Sequence, residues 1–366
     1  MKLPIFVFFT ILFLSCSNKS KQYSLDDASI IIDIDLVKEE PLRLNQIKFI
    51  PLETTLECLI GNADKILIKN DKIYVADFDM TSILFVFDLT GKFLAKIAKK
   101  GQGPGEYLMF NDFDVQANGD IYMLDGSSNK VRVYDKSGEY LREIKMDFRA
   151  MNFCLYENKI YLSRISAPER NISVSLAVYD MADGTTDFIL QNGGFSTSLK
   201  LPTFSYGFYS SPSNIYCSPQ FSPIIYSIGK DGVRPDIGVK NLNIPTTQIV
   251  DGWVEGGDPF APIRSGYFLE NVNIYETDRH ISFACFSGTL PKVFLYDKQS
   301  KHICYSHKYY EIIGNLYAFG SIGKDFFGVV NFLLSNESHK KILETHEELA
   351  KWQEDDNPVI VIFNHE

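Results

Sequence analysis

Several kinds of feature are missing from this chain of 366 residues, and each absence narrows the choice. There is no basic excess: 36 Lys and Arg stand against 46 Asp and Glu, a net charge of -10. A protein that neutralises phosphates needs a clustered Lys/Arg surface, so a nucleic-acid partner is excluded and the acidic balance reads as a solubility device. Cysteine is scarce. Cys58, Cys154, Cys217, Cys285 and Cys304 follow Cys16 at wide intervals with no CxxC pair, and no disulfide framework is implied. Most have apolar or aromatic neighbours, as in NFCLYEN and SFACFSG, the setting of a small buried hydrophobe. No HxH or HExxH spacing occurs among His280, His302, His307, His339, His346 and His365, no GxSxG elbow is present, and no GK[ST] follows a glycine-rich loop. The local signatures of a zinc hydrolase, an α/β-hydrolase and a P-loop nucleotide site are therefore all lacking.

Aromatic residues, in contrast, are plentiful: 20 Tyr and 28 Phe in a chain that is 45% hydrophobic. That weight suits pleated, half-buried strands and points to an all-β fold. Residues 72–107, KIYVADFDMTSILFVFDLTGKFLAKIAKKGQGPGEY, carry strand-like runs closed by turn residues, with LTGK as a hairpin turn. Weaker copies follow, recognisable by an aromatic-Asp pair at one station: Phe87-Asp88, Tyr134-Asp135, Tyr179-Asp180 and Tyr296-Asp297, with Tyr226-Ser227 in the fourth. The first intervals are 47 and 45 residues, a propeller-sized repeat, and four short antiparallel strands per unit are the grammar of a propeller blade. The count predicts a six-bladed β-propeller of four-stranded antiparallel blades. The terminal PVIVIFN lacks a full set of partners and the early IKFIPLETT is spare, so the N-terminal strand is expected to close the last blade, because an open ring would leave edges unpaired. One insertion is expected between Val239 and Tyr275. One short C-terminal helix is expected in ESHKKILETHEELAKWQEDD, with His339 and His346 on its exposed surface.

Residues 1–15 read as a signal peptide: Lys2 gives a positive start and an apolar run follows. The run ends in FLSC, which resembles the lipobox of bacterial lipoproteins and makes Cys16 the expected lipidation site. Residues 16–29 then form a lipidated cysteine and polar tether, and residues 30–366 the propeller domain. Two or three acyl chains make a stable anchor, since each buried CH2 contributes about 0.8 kcal/mol. The unit ending in GQGPGEY is similar to an NHL-type repeat. Together with the lipobox, IPLETT and the terminal NPVIVIF, it resembles the six-bladed β-propeller lipoproteins of Gram-negative gut and oral bacteria. That resemblance implies a cell-envelope location, specifically an outer-membrane lipoprotein, and little chemistry.

Three features qualify as sites. The loop with Gly101, Gly103, Pro104 and Gly105 superficially resembles a phosphate cradle, but no helix start or P-loop Lys follows it, so a structural corner is expected. Asp77, Asp88, Asp125, Asp135, Asp180 and Asp297 stand at strand ends; carboxylates repeated at one station in several blades fit Asx-type turns better than a metal. Tyr206, Phe208 and Tyr209 in FSYGFYSSP, with Trp253 and Tyr267, break the repeat pattern. Aromatic faces on glycine-bordered loops suit the stacking of a sugar ring or a peptide side chain. The expected function is an envelope-anchored binding or scaffold module for a glycan, peptide or protein partner, without a cofactor. The alternative is a Ca2+-dependent hydrolase or lyase of the six-bladed lactonase type, which needs oxygen ligands converging on the axis.

Overall fold

Tight turns set the repeat. Asn70 and Asp71 both take positive φ, 52° and 56°, the backbone that joins two right-twisted strands without splaying them. They connect Lys65–Lys69 to Lys72–Asp77; Ile83–Asp88 and Phe93–Ile97 complete the first blade. The computed structural model describes residues 23–165, 174–191, 207–258, 260–287, 291–307 and 318–365. The signal segment, Cys16 and Tyr206 lie outside these described residues.

The architecture is a six-bladed β-propeller. Blade two comprises Asp112–Val115, Ile121–Asp125, Lys130–Tyr134 and Tyr140–Lys145, and blade three Asn152–Tyr156, Lys159–Ser163, Val174–Asp180 and Thr186–Gln191. Blade four comprises Tyr209–Ser210, Ile215–Cys217, Ile224–Gly229 and Gly232–Lys240; blade five comprises Phe268–Glu276, His280–Ser287, Lys292–Asp297 and Ile303–Ser306. First strands of neighbouring blades touch one another and line the axis. Because the strands alternate in direction, turns between first and second strands all open on one face, here called the lower face. The links from blade to blade lie on the upper face.

Closure follows the expected route. Blade six takes Gly320–Ile322, Asp325–Val330 and Val359–His365 from the end of the chain and Leu44–Pro51 from its beginning, with Val361 opposite Phe49 and Ile360 opposite Ile50. Asn357 secures the seam: its amide donates to Glu53 O (2.7 Å) and Cys58 O (2.8 Å), and its Oδ1 accepts from Ile60 N (2.8 Å). The earlier N-terminal residues add a feature absent from the repeat count. Ile30–Asp33 pairs in parallel with the outer strand of blade four and Lys38–Glu39 with that of blade five. This belt covers two exposed edges that would otherwise invite pairing with another chain.

Helical content exceeds the single helix expected. The C-terminal one is present, α3 (Glu337–Thr345), capped by Asn336 Oδ1 accepting from Ser338 N and His339 N. Within the insertion stand two more, α1 (Thr247–Gly256) and α2 (Ala261–Arg264). The insertion is also shorter than expected, since Phe268–Glu276 is the first strand of blade five. This strand is buried along its whole length, so its polar Glu270, Asn271 and Asn273 interrupt the two-residue alternation that marks half-buried strands. His339 is another correction. It is buried, accepts from Leu333 N at Nδ1 (2.9 Å) and meets Phe332 edge-on, because α3 packs this face inward against the blade.

Apolar layers between blades form the core. Tyr74, Leu84 and Val86 of blade one meet Phe113, Ile121 and Met123 of blade two, and Phe283 stacks on Phe294 within blade five at 5.0 Å. Each such side chain contributes about 1.5–3 kcal/mol by leaving water. The five cysteines of the described residues are buried and free of disulfides.

Candidate functional site

Two ion pairs with buried carboxylates stand on one side of the axis. Lys65 Nζ lies 2.5 Å from Asp112 Oδ1 and donates to Phe113 O (3.0 Å), while Asp112 Oδ2 accepts from Phe153 N (2.8 Å). Along the same strands Lys69 Nζ contacts Asp114 Oδ1 at 2.5 Å, and Asp114 Oδ2 accepts from Leu155 N (2.8 Å). The two rungs tie the first strands of blades one, two and three together. Burial pushes the Asp112 carboxyl up, against the pull of the Lys65 ammonium. A cavity of about 40 Å3 remains beside them, lined by Lys69, Asp114, Cys154, Phe208, Tyr275 and Phe327 among others. It has room for a few waters and for no larger ligand.

Beyond the Lys69–Asp114 rung the lower mouth widens. A depression of about 710 Å3 is walled by the first turns of blades one to four. Asn70 comes from blade one, Gln116 and Asn118 from blade two, Tyr156 and Glu157 from blade three, and Asn214 from blade four. The repeat itself puts them there, because the same turn in each blade opens on the same rim. Several are held in place: Asn70 Nδ2 donates to Gln116 O (2.9 Å), Tyr122 OH to Gln116 Oε1 (3.2 Å), and Asn214 Nδ2 to Glu276 Oε2 (2.6 Å). Tyr216 OH donates to the same carboxylate (2.9 Å) and Lys298 binds its other oxygen (2.8 Å). The rim is thus a set of amides, a carboxylate and one half-buried phenol ring on positioned backbone. Their signal in the sequence was the equivalent turn position of each repeat, and no motif marks it.

The structure separates the residues singled out in the sequence. Phe208 and Tyr209 are 3% and 1% exposed; they follow the Gly207 turn (φ 74°) directly into the innermost strand of blade four. As core residues they offer no stacking face, which corrects their expected place in an exposed platform. Trp253 on α1 and Tyr267 are half-buried on the upper side and meet edge-on at 5.9 Å, with Phe221 behind Trp253 at 6.4 Å. They do not share a surface with the lower rim.

In the glycine-rich loop, Glu106 occupies the space of a phosphate. Gly103 N donates to Glu106 Oε2 (2.8 Å), and a Cβ on Gly101 would fall 1.9 Å from the same atom. Gly105 takes φ 74°, and a Cβ there would strike the Tyr140 ring at 2.5 Å. Tyr107 is buried and donates to Ser82 O and Ile97 O, both at 2.9 Å. The repeated carboxylates accept backbone N–H groups: Asp88 from Thr90 and Lys92, Asp135 from Ser137 and Glu139, Asp180 from Ala182, Asp297 from Gln299 and Ser300. Asp77 alone accepts four, from Gly61, Asn62, Met80 and Thr81. Asp125 accepts from Ser127 and Ser128 and binds Arg132 (2.9 Å).

Comparison with known proteins agrees with this fold. A family model described as Domain of unknown function (DUF4934) matches residues 30–364. A crystal structure from Bacteroides fragilis NCTC 9343, of a protein named for its inferred export, is 20% identical with a TM-score of 0.74 and covers 92% of this chain and 99% of its own. A member of the DUF4221 family from Bacteroides vulgatus ATCC 8482 is 10% identical with a TM-score of 0.54, covering 89% and 98%. At these identities the likeness concerns the fold alone. Among curated proteins none matches. No helix of the described residues is long and apolar enough to cross a membrane.

Proposed function

We propose for this chain, which belongs to the DUF4934 family, the role of an exported, lipid-anchored binding propeller whose lower rim holds a glycan. The observation that carries this reading is the depression of about 710 Å3 built from turns of four blades. Side-chain amides and a carboxylate on fixed backbone can each bridge neighbouring hydroxyls of a sugar, and Tyr156 supplies a flat face for the ring. Concave, partly preformed sites with a few converging polar groups are the usual form of small-ligand sites. Export is supported by the apolar leader and by the name of the B. fragilis relative, and anchoring by the FLSC sequence at Cys16. The NHL-like repeat is part of the same reading.

The second reading, a Ca2+-dependent hydrolase or lyase, draws less support. Asp112 and Asp114, two of the carboxylates on the axial strands, are engaged by lysines and backbone N–H groups, and Glu276, a third, by Asn214, Tyr216 and Lys298, whereas Ca2+ needs six to eight oxygen ligands. A peptide or protein partner would favour the apolar pair Trp253 and Tyr267 over the lower rim.

Binding of the purified protein to an oligosaccharide array tests the proposal. Tyr156→Ala should weaken binding to whichever glycan is retained by about 5- to 30-fold, the effect of losing about 1–2 kcal/mol, with Trp253→Ala unchanged. Full affinity in Tyr156→Ala would refute the rim. Loss in Trp253→Ala alone would move the site to the helical insertion. Saturating Ca2+ should leave the melting temperature where it is, and a rise of several degrees would restore the hydrolase reading.

A further inference from the structure

The lower face carries a second depression, of about 530 Å3, at the junction of blades five and six. Three of the six histidines reach it, together with a cysteine and a glutamate, although no two of the histidines are close in sequence. His302 immediately precedes the outer strand of blade five, and Cys304 lies within it. Residues two apart on an extended chain share a face. Glu40 arrives from the belt: Lys38 pairs with Cys304 and Glu39 with Tyr305, and Glu40 N donates to Tyr305 O (2.9 Å).

We propose that Glu40, His302 and Cys304 form a Zn2+ site that staples the N-terminal belt to blade five. One ligand atom from each residue lies within 4.8 Å of the other two, and Glu40 Oε2 is already 3.2 Å from His302 Nε2. Tetrahedral zinc with bonds of about 2.0–2.3 Å holds its ligand atoms about 3.3–3.8 Å apart. The remaining closure is at most about 1.5 Å, and the side chains that must move are the accessible ones, His302 and Glu40 at 58% and 43% exposure. Cys304 is buried at the back of the site and sets its position. A sulfur, an imidazole and a carboxylate select zinc over Ca2+ or Mg2+, which prefer oxygen alone. Three protein ligands leave a fourth position facing the depression, open to water or a small ligand.

The staple has a structural consequence. The belt pairs with blade five through a two-residue strand, a short ladder to hold the segment that leads from the expected anchor. A metal shared by belt and blade would fix that segment to the propeller.

The test uses the mature, tag-free protein. Calorimetric titration with ZnCl2 should show one equivalent bound, and Co2+ in its place should give a thiolate-to-metal charge-transfer band. Cys304→Ser should abolish that band and weaken zinc binding by more than the roughly 10–100-fold lost with an outer-shell partner. His302→Ala should weaken it comparably while melting like the wild type in EDTA, since its side chain is exposed. Cys217→Ser, a buried cysteine of blade four, should bind zinc normally. Hydrogen exchange across residues 34–42 should slow on adding Zn2+, and Glu40→Gln should remove that slowing. Absence of stoichiometric binding, a Co2+ spectrum without the sulfur band, or wild-type affinity in His302→Ala would overturn the site. Unchanged exchange in residues 34–42 would overturn the staple.

Discussion

Replacing Asn357 should open the ring at its seam. Its side chain, in a residue only 1% exposed, serves three backbone groups of the segment that follows the closing strand: Glu53 O, Cys58 O and Ile60 N. Asn357→Ala leaves an orphaned N–H and two poorly satisfied carbonyls out of water. At about 1–3 kcal/mol for a buried unsatisfied group, with carbonyls at the lower end, the expected loss is about 3–5 kcal/mol. That is a large share of the ~5–15 kcal/mol that holds a typical domain together. Asn357→Asp sharpens the test. It keeps the shape and the acceptor for Ile60 N but turns two donors into a charged acceptor facing two carbonyl oxygens, so it should be at least as damaging at neutral pH. Equilibrium unfolding in urea, followed by tryptophan fluorescence, reads both variants. Trp352 is a local reporter, because its Nε1 donates to Asn357 O at 3.1 Å. A loss below about 1 kcal/mol in the alanine variant, or an aspartate variant more stable than the alanine one, would refute the account of closure.

Two further outcomes follow from buried histidines and from the leader. Burial, reinforced by His280, lowers His365 to about 3, and burial also lowers His280. Their stabilising contribution is complete above the unfolded value of about 6.5 and is lost as pH falls towards the folded ones, at up to about 1.4 kcal/mol per pH unit for each histidine. Denaturant midpoints at pH 7.5, 6 and 5 should fall accordingly, and His365→Gln should flatten the slope; an equal slope in both proteins would refute the assignment. Cys16→Ala should shift the protein from the membrane to the soluble envelope fraction, and retention in the membrane would contradict a lipid anchor.

The strand repeat was legible because each blade repeats the same physical solution. Strands with buried faces need apolar residues, and tight turns need Asn, Asp or Gly, so the aromatic-Asp station and its Gly turn recur in the sequence. Asp88 and Asp135 each accept two backbone N–H groups in the way the repetition implied. Legibility failed where burial is continuous or contacts are remote. Phe268–Glu276 hid its strand identity behind polar residues that are buried at the axis. Phe208 and Tyr209 looked like loop aromatics because nothing local reveals that the chain turns inward at Gly207. His339 looked exposed because a short helix does not announce which of its faces meets a blade.

The sequence by itself determined the six-bladed count, the antiparallel blades and the closing role of the N-terminal strand, since all three depend on local periodicity and on the need to pair every edge. Tertiary structure alone decided how the rim is assembled and which charges pair beside the axis, and it brought Glu40 to Cys304 and, across 262 positions, to His302. Those arrangements depend on the rotation from one blade to the next and on the path of the belt around the outside. Ligand chemistry needs atoms within a few ångströms, and in a ring of repeats that proximity comes from equivalent positions in different blades, far apart along the chain.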